Sequence, residues 1–528
     1  MPQFFQKSEK RLSIGSAAFL LAGFALASTL LGLLRTSLIN SPDFNAFSRD
    51  AYFAAFKIPD LIFFALSSGA LTVAFMPILK DRLTKSGRVA AWKLTSSILN
   101  TLALLSLLMS IILLIFAPQI VGIFHFEGAQ RDLCASIMRI IAVNPFLFSI
   151  STVLTSAQQT MGRFFFFAFA PLVYNTSIIV GIIVFKNSLG IAAPAVGVAI
   201  GALLQLLVAA AGMLGLNFRY TWGIDTSNQD YRQVMKALPA RSIDQGIDYI
   251  NSIFETRYAT SLVRLGQIGA VSNYENALLL HNAPIMLIGI AISSAAFPRF
   301  TERIAQGRPD LFRKEFLQVI RAMLWIALPV VVITFFSHQY LARIIAKTEN
   351  AEIATLLQYL VVAILFRTMY AAISRWFYAQ KDTKTPLFVS LFTIGLNIVL
   401  AYNLSKPGAY GVVGLALSQS IIAFIEVVIL LVIMSIKDKK LFERAFVTAV
   451  LRILSTTGFT IIVASLMVAI LPLDSNDRGL TLTAKLSIIS AVTILSHIII
   501  SWVMRLDEVQ PVIDRIKKIT LRPVKIQL

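Results

Sequence analysis

The sequence predicts an all-α polytopic membrane protein of about fourteen transmembrane helices, arranged as two six-helix lobes in parallel pseudo-repeat plus two C-terminal helices. Three observations lead there: an excess of apolar residues, a series of long charge-free runs, and an internal repeat. The 528 residues are 57% hydrophobic and 14% charged, with a mean hydropathy of +0.76, which is more apolar surface than a soluble core of this length hides. A bilayer core of ~30 Å takes ~20 apolar residues per helix, and the runs 94–126, 140–162, 164–185 and 187–218 reach that length. Alternating strand patterns are missing, so helices rather than a barrel must satisfy the backbone.

Hydropathy places spans near residues 24, 65, 105, 147, 175, 203, 248, 286, 326, 365, 394, 422, 460 and 494. The first follows Lys7, Lys10 and Arg11 and reads as a retained anchor, since its apolar run is too long for a signal-peptide core and lacks a convincing cleavage site. The net charge of +20 invites a nucleic-acid reading. The cations are instead distributed as topology signals, rich in alternate loops and poor between them. One rich loop holds Lys80, Arg82, Lys85, Arg88 and Lys93, a second Arg299, Arg303, Arg308, Arg313 and Lys314, and a third Lys437, Lys439, Lys440 and Arg444. Residues 120–130 contain no Lys or Arg, and Lys186 and Lys406 stand alone in two other loops. Both termini are therefore expected in the cytoplasm, and the basic tail from Arg515 to Lys525 acts as a topology determinant or touches anionic headgroups. A single cysteine, Cys134, excludes an internal disulfide framework and a cysteine metal site.

The turn Lys381-Asp382-Thr383-Lys384 sits between two apolar stretches, and an earlier segment has the same layout. Ala157-Gln158 matches Ala379-Gln380, Gly162-Arg163 falls opposite Lys384, and Asn175 matches Asn397, at an offset of 222. Pro77 and Arg82 recur 221 residues later as Pro298 and Arg303, and Gly197 recurs 217 later as Gly414. Three anchors at nearly one offset indicate a duplication six spans long. Because six is even, both copies enter the bilayer in one orientation, and the lobes are expected to face each other across a central cavity. The expected organisation is residues 1–220 as the N-terminal lobe, 221–440 as the C-terminal lobe, and 441–528 as the last two spans and the basic tail. Short loops leave no room for a soluble catalytic domain, and Walker, HExxH, GxSxG and paired metal-ligand motifs are not found, so the chain reads as a transporter and not an enzyme.

Polar residues inside the spans should mark the path, because a charge facing lipid is costly. Arg35 ends the first span, while Asp50, Lys57 and Asp60 lie on the second in "DAYFAAFKIPD", where Pro59 favours a kink. Asp50 reads equally as the N-cap of its own helix, and Lys57 either faces the cavity or snorkels to the outer interface. Arg139 on the fourth span is a cavity residue or a structural partner for a carbonyl or acid. On the seventh span Arg241, Asp244, Asp248, Asn251 and Glu255 recur at three- and four-residue intervals, forming one helical face. That stripe is either a wet, ion-coupling surface or a salt-bridge ladder with Arg257, Arg367 or Arg375. Glu275, Asn276, His281 and Asn282 on the eighth span and Glu426 on the twelfth extend the polar wall.

The segments "GLLRTSLI", "RDAYFAAFKIPDLIFFALSSGALTVAFMPIL", "GRFFFFAFAPLVYN", "AISSAAFPRFTER" and "FYAQKDTKTP" resemble, in order and spacing, those of the MurJ (MviN) family of the multidrug/oligosaccharidyl-lipid/polysaccharide exporter superfamily. The resemblance covers essentially the whole chain. It implies fourteen helices, and transport of lipid II, an undecaprenyl-pyrophosphate-linked MurNAc-pentapeptide-GlcNAc, from the inner to the outer leaflet of the bacterial cytoplasmic membrane by alternating access. It further implies that a monomer is sufficient; association with cell-wall synthesis proteins is expected, and a coupling cation, Na⁺ or H⁺, or the membrane potential is the expected drive. The substrate-binding residues that carry over are Arg35, Asp50 and Lys57, with Pro59 also matching.

Departures are equally specific. The family's first-helix pattern R-x-x-G-x-x-R-[DE] is here Thr29-Leu30-Leu31-Gly32-Leu33-Leu34-Arg35-Thr36, which keeps one arginine of two. The family's arginine pair on the second span is Phe63-Phe64, its E-G is Ser68-Gly69, and A-D-R-L on the eighth span is Ala277-Leu278-Leu279-Leu280. Arg35, Lys57 and Arg139 must then hold the diphosphate, alone or with other help. Two other readings stay open at this point: a cation-coupled exporter of another lipid-linked sugar or an amphiphilic drug, using Asp244, Asp248 and Glu255, and a non-transporting scaffold for envelope enzymes.

Overall fold

A computed structural model describes residues 14–67 and 70–520. Lys7, Lys10 and Arg11, Ser68-Gly69 and the tail after residue 520 lie outside the described residues, as do the side chains of Arg241 and Asp244. The regular secondary structure of the described residues is helical, with no strand among them. In order the helices are α1 (Ile14–Ile39), α2 (Ala46–Ala55), α3 (Lys57–Ser67), α4 (Ala70–Val121), α5 (Gly128–Ile141), α6 (Asn144–Thr160), α7 (Phe165–Leu189), α8 (Ala192–Ala211), α9 (Gln229–Arg264) and α10 (Ala270–Pro284). A π-turn over Ile285–Ile290 leads into α11 (Ala291–Ala305), α12 (Pro309–Phe336), α13 (His338–Ala346), α14 (Ala351–Ala379), α15 (Lys384–Leu404), α16 (Val413–Lys437), α17 (Arg444–Ile470), α18 (Leu480–Val503) and α19 (Gln510–Thr520).

Eleven helical stretches among the described residues are long and apolar enough to cross a bilayer, and they carry eleven of the fourteen expected centres. The other three centres, 24, 65 and 248, fall on helices of a different kind. The apolar described part of α1 is the short stretch Gly23–Ile39, the second span is broken at Phe56 between α2 and α3, and α9 carries the polar stripe. The break at Phe56 comes three residues before Pro59, which sits in the first turn of α3, where a missing N–H costs nothing. Helix α4 is two helices joined by a kink at Gly87, whose φ of +77° suits glycine, inside the first basic loop.

The contacts divide the chain into two compact units, Met1–Ser272 and Asn273–Leu528. Within the first, α7 and α8 approach at glycines. A Cβ on Gly181 would lie 2.7 Å from Gly197 Cα, and one on Gly197 would lie 2.9 Å from Ile178 Cα. Gly197 and Gly201 form a small-xxx-small face, the device by which membrane helices gain dispersion contacts without a hydrophobic driving force. Gly197→Ala is therefore expected to force α7 and α8 apart at a cost of about 1–3 kcal/mol, seen as a lower unfolding temperature in detergent. An unchanged transition would refute the close-packing account.

The charged turn and its earlier twin close α14 and α6 in the same way. After α6, Arg163 N donates to the Gln158 carbonyl and Gly162 N to that of Gln159; after α14, Asp382 N donates to Phe377 and Lys381 N to Tyr378. Both are Schellman caps with a left-handed residue, Gly162 at φ +81° and Lys381 at φ +63°. The geometric counterpart of Gly162-Arg163 is thus Lys381-Asp382, three residues before the Lys384 of the sequence pairing. Each turn then clasps the end of another helix in its unit. Arg163 donates to the carbonyls of Leu214 at 2.7 Å and Gly212 at 3.4 Å beyond α8. Asp382 takes Lys437 at the end of α16 and the hydroxyl and N–H of Thr385. Burial alone would raise the Asp382 pKa, but the Lys437 ammonium and the two Thr385 donors outweigh it and hold the carboxyl at about 2.

The basic loops are laced with ion pairs rather than left as an open cationic face. Arg82 meets Asp230 at 3.0 Å and Lys93 meets Asp225 at 3.0 Å. In the second unit Arg303 meets Glu315 at 2.7 Å, and Arg313 grips Asp438 with two bonds of 2.8 Å.

Candidate headgroup site

The first unit gathers polar groups where α1, α2, α3, α7 and α9 meet. Arg35, half-buried near the end of α1, donates from Nη1 to Asn175 Oδ1 on α7 at 3.1 Å. Asn175 is fixed in turn by Ser28 Oγ at 3.2 Å and the Pro171 carbonyl at 3.1 Å. The Arg35 Nε is buried and has no hydrogen-bond partner among the described residues, an unspent donor in a setting where buried donors are almost always paired. Arg35 and Asp60 both act electrostatically on Tyr52 and Tyr174, which places cation, acid and two phenols in one neighbourhood.

On α3, Lys57, Asp60 and Phe64 recur at three- and four-residue spacing and share a face. That face lies on α9: Lys57 Nζ donates to Ser252 Oγ at 2.8 Å, and Phe64 stacks on Tyr249 with centroids 4.0 Å apart and planes 19° from parallel. Lys57 is held inside the unit by this bond rather than reaching away from it.

Asp50 has another task. Its side chain is fully buried; Oδ2 accepts from Gly269 N at 2.7 Å and Oδ1 from Ser272 N at 2.8 Å. It does not cap its own helix. That role belongs to Asn45, whose side chain accepts from Ser48 N at 2.8 Å. Asp50 instead caps the first turn of α10, satisfying two donors that a helix start leaves open and placing a negative charge at the positive end of the dipole. Gly269, at φ +102°, makes the turn that presents its N–H to the carboxylate.

Arg139 stands apart. It lies on the exposed face of α5 and donates from Nε to the Leu114 carbonyl at 3.3 Å. The stripe on α9 is split: Asn251 and Glu255 are buried and joined by a 2.9 Å hydrogen bond, whereas Asp248 is exposed. Of the suggested ladder partners, Arg257 is exposed, Arg367 pairs with Glu426 at 2.9 Å, and Arg375 donates to the Ala371 carbonyl and Ser294. Glu275 lies half-buried on α10 in the second unit. There Glu426 also accepts from Ser390 at 2.7 Å, and Ser390 meets the Tyr370 hydroxyl at 3.0 Å. Ser252, Tyr52, Tyr174 and Tyr249 were not among the sequence candidates, because a serine or aromatic in an apolar run carries no signal until its neighbour is known.

The first unit thus sets cations and hydrogen-bonding groups inside a bundle of apolar helices. The family model described as "Lipid II flippase MurJ" matches residues 44–503. The chain belongs to the MurJ family. Among curated relatives, the probable lipid II flippase MurJ of Borreliella burgdorferi is 24% identical over 386 residues, 72% of this chain and 75% of the relative. That of Buchnera aphidicola is 26% identical, covering 80% and 83%, and the lipid II flippase MurJ of Burkholderia cenocepacia is 25% identical, covering 74% and 77%. A solved lipid II flippase MurJ in an inward closed conformation superposes with a TM-score of 0.76 at 21% identity, over 92% of this chain and 98% of that one. An inward-facing multidrug resistance MATE transporter of the MOP superfamily gives 0.64 at 15% identity, over 78% and 96%. This MurJ-family chain therefore has the transporter fold expected from its spans.

Proposed function

We propose that the chain moves lipid II from the inner to the outer leaflet of the bacterial cytoplasmic membrane by alternating access, with both termini cytoplasmic. The observation that carries the reading is the placement of two cations, Arg35 and Lys57, within the apolar first unit of a chain whose residues 44–503 match the flippase family. A pyrophosphate that crosses ~30 Å of hydrocarbon needs fixed donors in place of its hydration. Arg35, with its unspent Nε, and Lys57 supply them, and the prenyl tail stays in lipid. Glu255, buried on α9 beside Asn251, is the acid through which we propose a coupling H⁺ or Na⁺ acts, with the membrane potential as the other drive.

The test is complementation in a bacterium depleted of its own lipid II flippase, reading the accessibility of newly made lipid II at the outer leaflet. Restored growth with outer-leaflet lipid II is the expected result. Confirmed membrane expression without rescue, in hosts of more than one lineage, would overturn the assignment in favour of another lipid-linked sugar or an amphiphile.

A further inference from the structure

Five half-buried aromatic rings on four helices of the first unit form a continuous row: Tyr249, Phe64, Phe63, Phe148 and Tyr174. Beyond the Phe64–Tyr249 stack the rings meet edge-on or tilted, leaving faces turned in different directions: centroids and planes are 5.1 Å and 64° apart for Phe63–Phe64, 5.3 Å and 60° for Phe63–Phe148, and 5.4 Å and 72° for Phe148–Tyr174. The row runs from the Lys57–Ser252 bond on α3 and α9 to the Arg35–Asn175 bond on α1 and α7. We propose that it is a stacking surface for a pyranose ring of the lipid-linked headgroup, an assignment that rests on the flippase reading above and deepens it.

The chemistry selects this occupant over the other two parts of the substrate. The face of an aromatic ring carries negative charge, so it repels a pyrophosphate and attracts the polarised C–H groups on the apolar face of a sugar. A prenyl chain would pack on the rings but has no use for the polar groups at both ends of the row. A pyranose uses both, its C–H face on the rings and its hydroxyls on Asp60, Ser252 or the tyrosine hydroxyls. Two of the five rings, Phe63 and Phe64, occupy the positions where the resemblance expects an arginine pair. In this chain the anion contacts thus contract to Arg35 and Lys57, and part of the binding passes from charge to stacking. Because the ring faces lie on four different helices, a rocking motion that shifts α3 against α9 would also change the platform offered to the sugar.

The experiment compares two lipids on purified protein in detergent: lipid II, and undecaprenyl pyrophosphate, which has no sugar. Native mass spectrometry gives the bound fraction of each. Phe64→Leu and Phe148→Leu, which keep bulk and apolarity but remove the π face, should weaken lipid II binding about threefold to tenfold each, the worth of one aromatic contact, and leave undecaprenyl pyrophosphate unchanged. Phe64→Tyr, which keeps the ring, should bind both as wild type does. Equal losses for the two lipids, or no loss for either, would overturn the subsite and leave the row as helix packing. A wild-type protein that binds neither lipid refutes the flippase reading itself, and the subsite with it.

Discussion

Asp50→Ala should be the most destabilising single substitution in the first unit, and its main effect should be on folding rather than on substrate affinity. The carboxylate is fully buried and spends one oxygen on Gly269 N and the other on Ser272 N. Removing it strands two backbone donors, each at about 1–3 kcal/mol, and withdraws the charge that compensates the α10 dipole. The expected loss is roughly 3–5 kcal/mol, at the upper end of what one substitution does. Asp50→Asn keeps one acceptor and turns an amide donor towards the other N–H, so it should fall between wild type and alanine. The measurement is thermal unfolding of detergent-purified protein alongside lipid II binding by the folded fraction. Near-normal binding by folded Asp50→Ala supports the capping role. A variant that unfolds like wild type yet cannot bind lipid II would return Asp50 to the substrate-binding set.

The contrast between Asp50 and Lys57 shows how far residue patterns reach. Helical spans, the duplicated turn and the polar face of α9 are periodic features, and periodicity is a property of the chain alone. Lys57, Asp60 and Phe64 could be placed on one face for the same reason. What α3 packs against is not periodic. That Lys57 meets Ser252, and Asp50 meets a turn more than two hundred residues away, depends on how helices pair, which local spacing does not encode. Only the coordinates show that the Asp50 carboxylate accepts from the start of α10 and that Arg139 donates to the Leu114 carbonyl. The capped turns show the same limit on a smaller scale: residue matching pairs Gly162 with Lys384, while hydrogen bonding pairs it with Lys381, because Lys381 tolerates a left-handed conformation usually left to glycine.

Arg35→Ala combined with Lys57→Ala should abolish flipping while the protein still inserts and folds. Neither side chain is a cap; Arg35 donates to Asn175 and Lys57 to Ser252, and losing such a bond costs about 1 kcal/mol. For transport the loss is larger. A charge-assisted hydrogen bond to a phosphate is worth roughly 1.5–3 kcal/mol, or about tenfold to a hundredfold in binding per cation. With the resembling family's other arginines replaced by Thr29, Phe63, Phe64 and Leu279 in this chain, no neighbouring cation of that set takes over. The double variant should therefore lose at least a hundredfold. Single variants separate the roles of the two: Arg35→Lys keeps the charge but gives up the fork and the Nε donor, so it should recover less than Lys57→Arg, whose site asks only for a positive charge at the end of a flexible stem. Outer-leaflet lipid II is the readout, with membrane expression and unfolding temperature as controls. A well-expressed double variant that still flips would show that the diphosphate is held elsewhere, and the Arg35–Asn175 and Lys57–Ser252 bonds would then be packing features of α1, α7, α3 and α9.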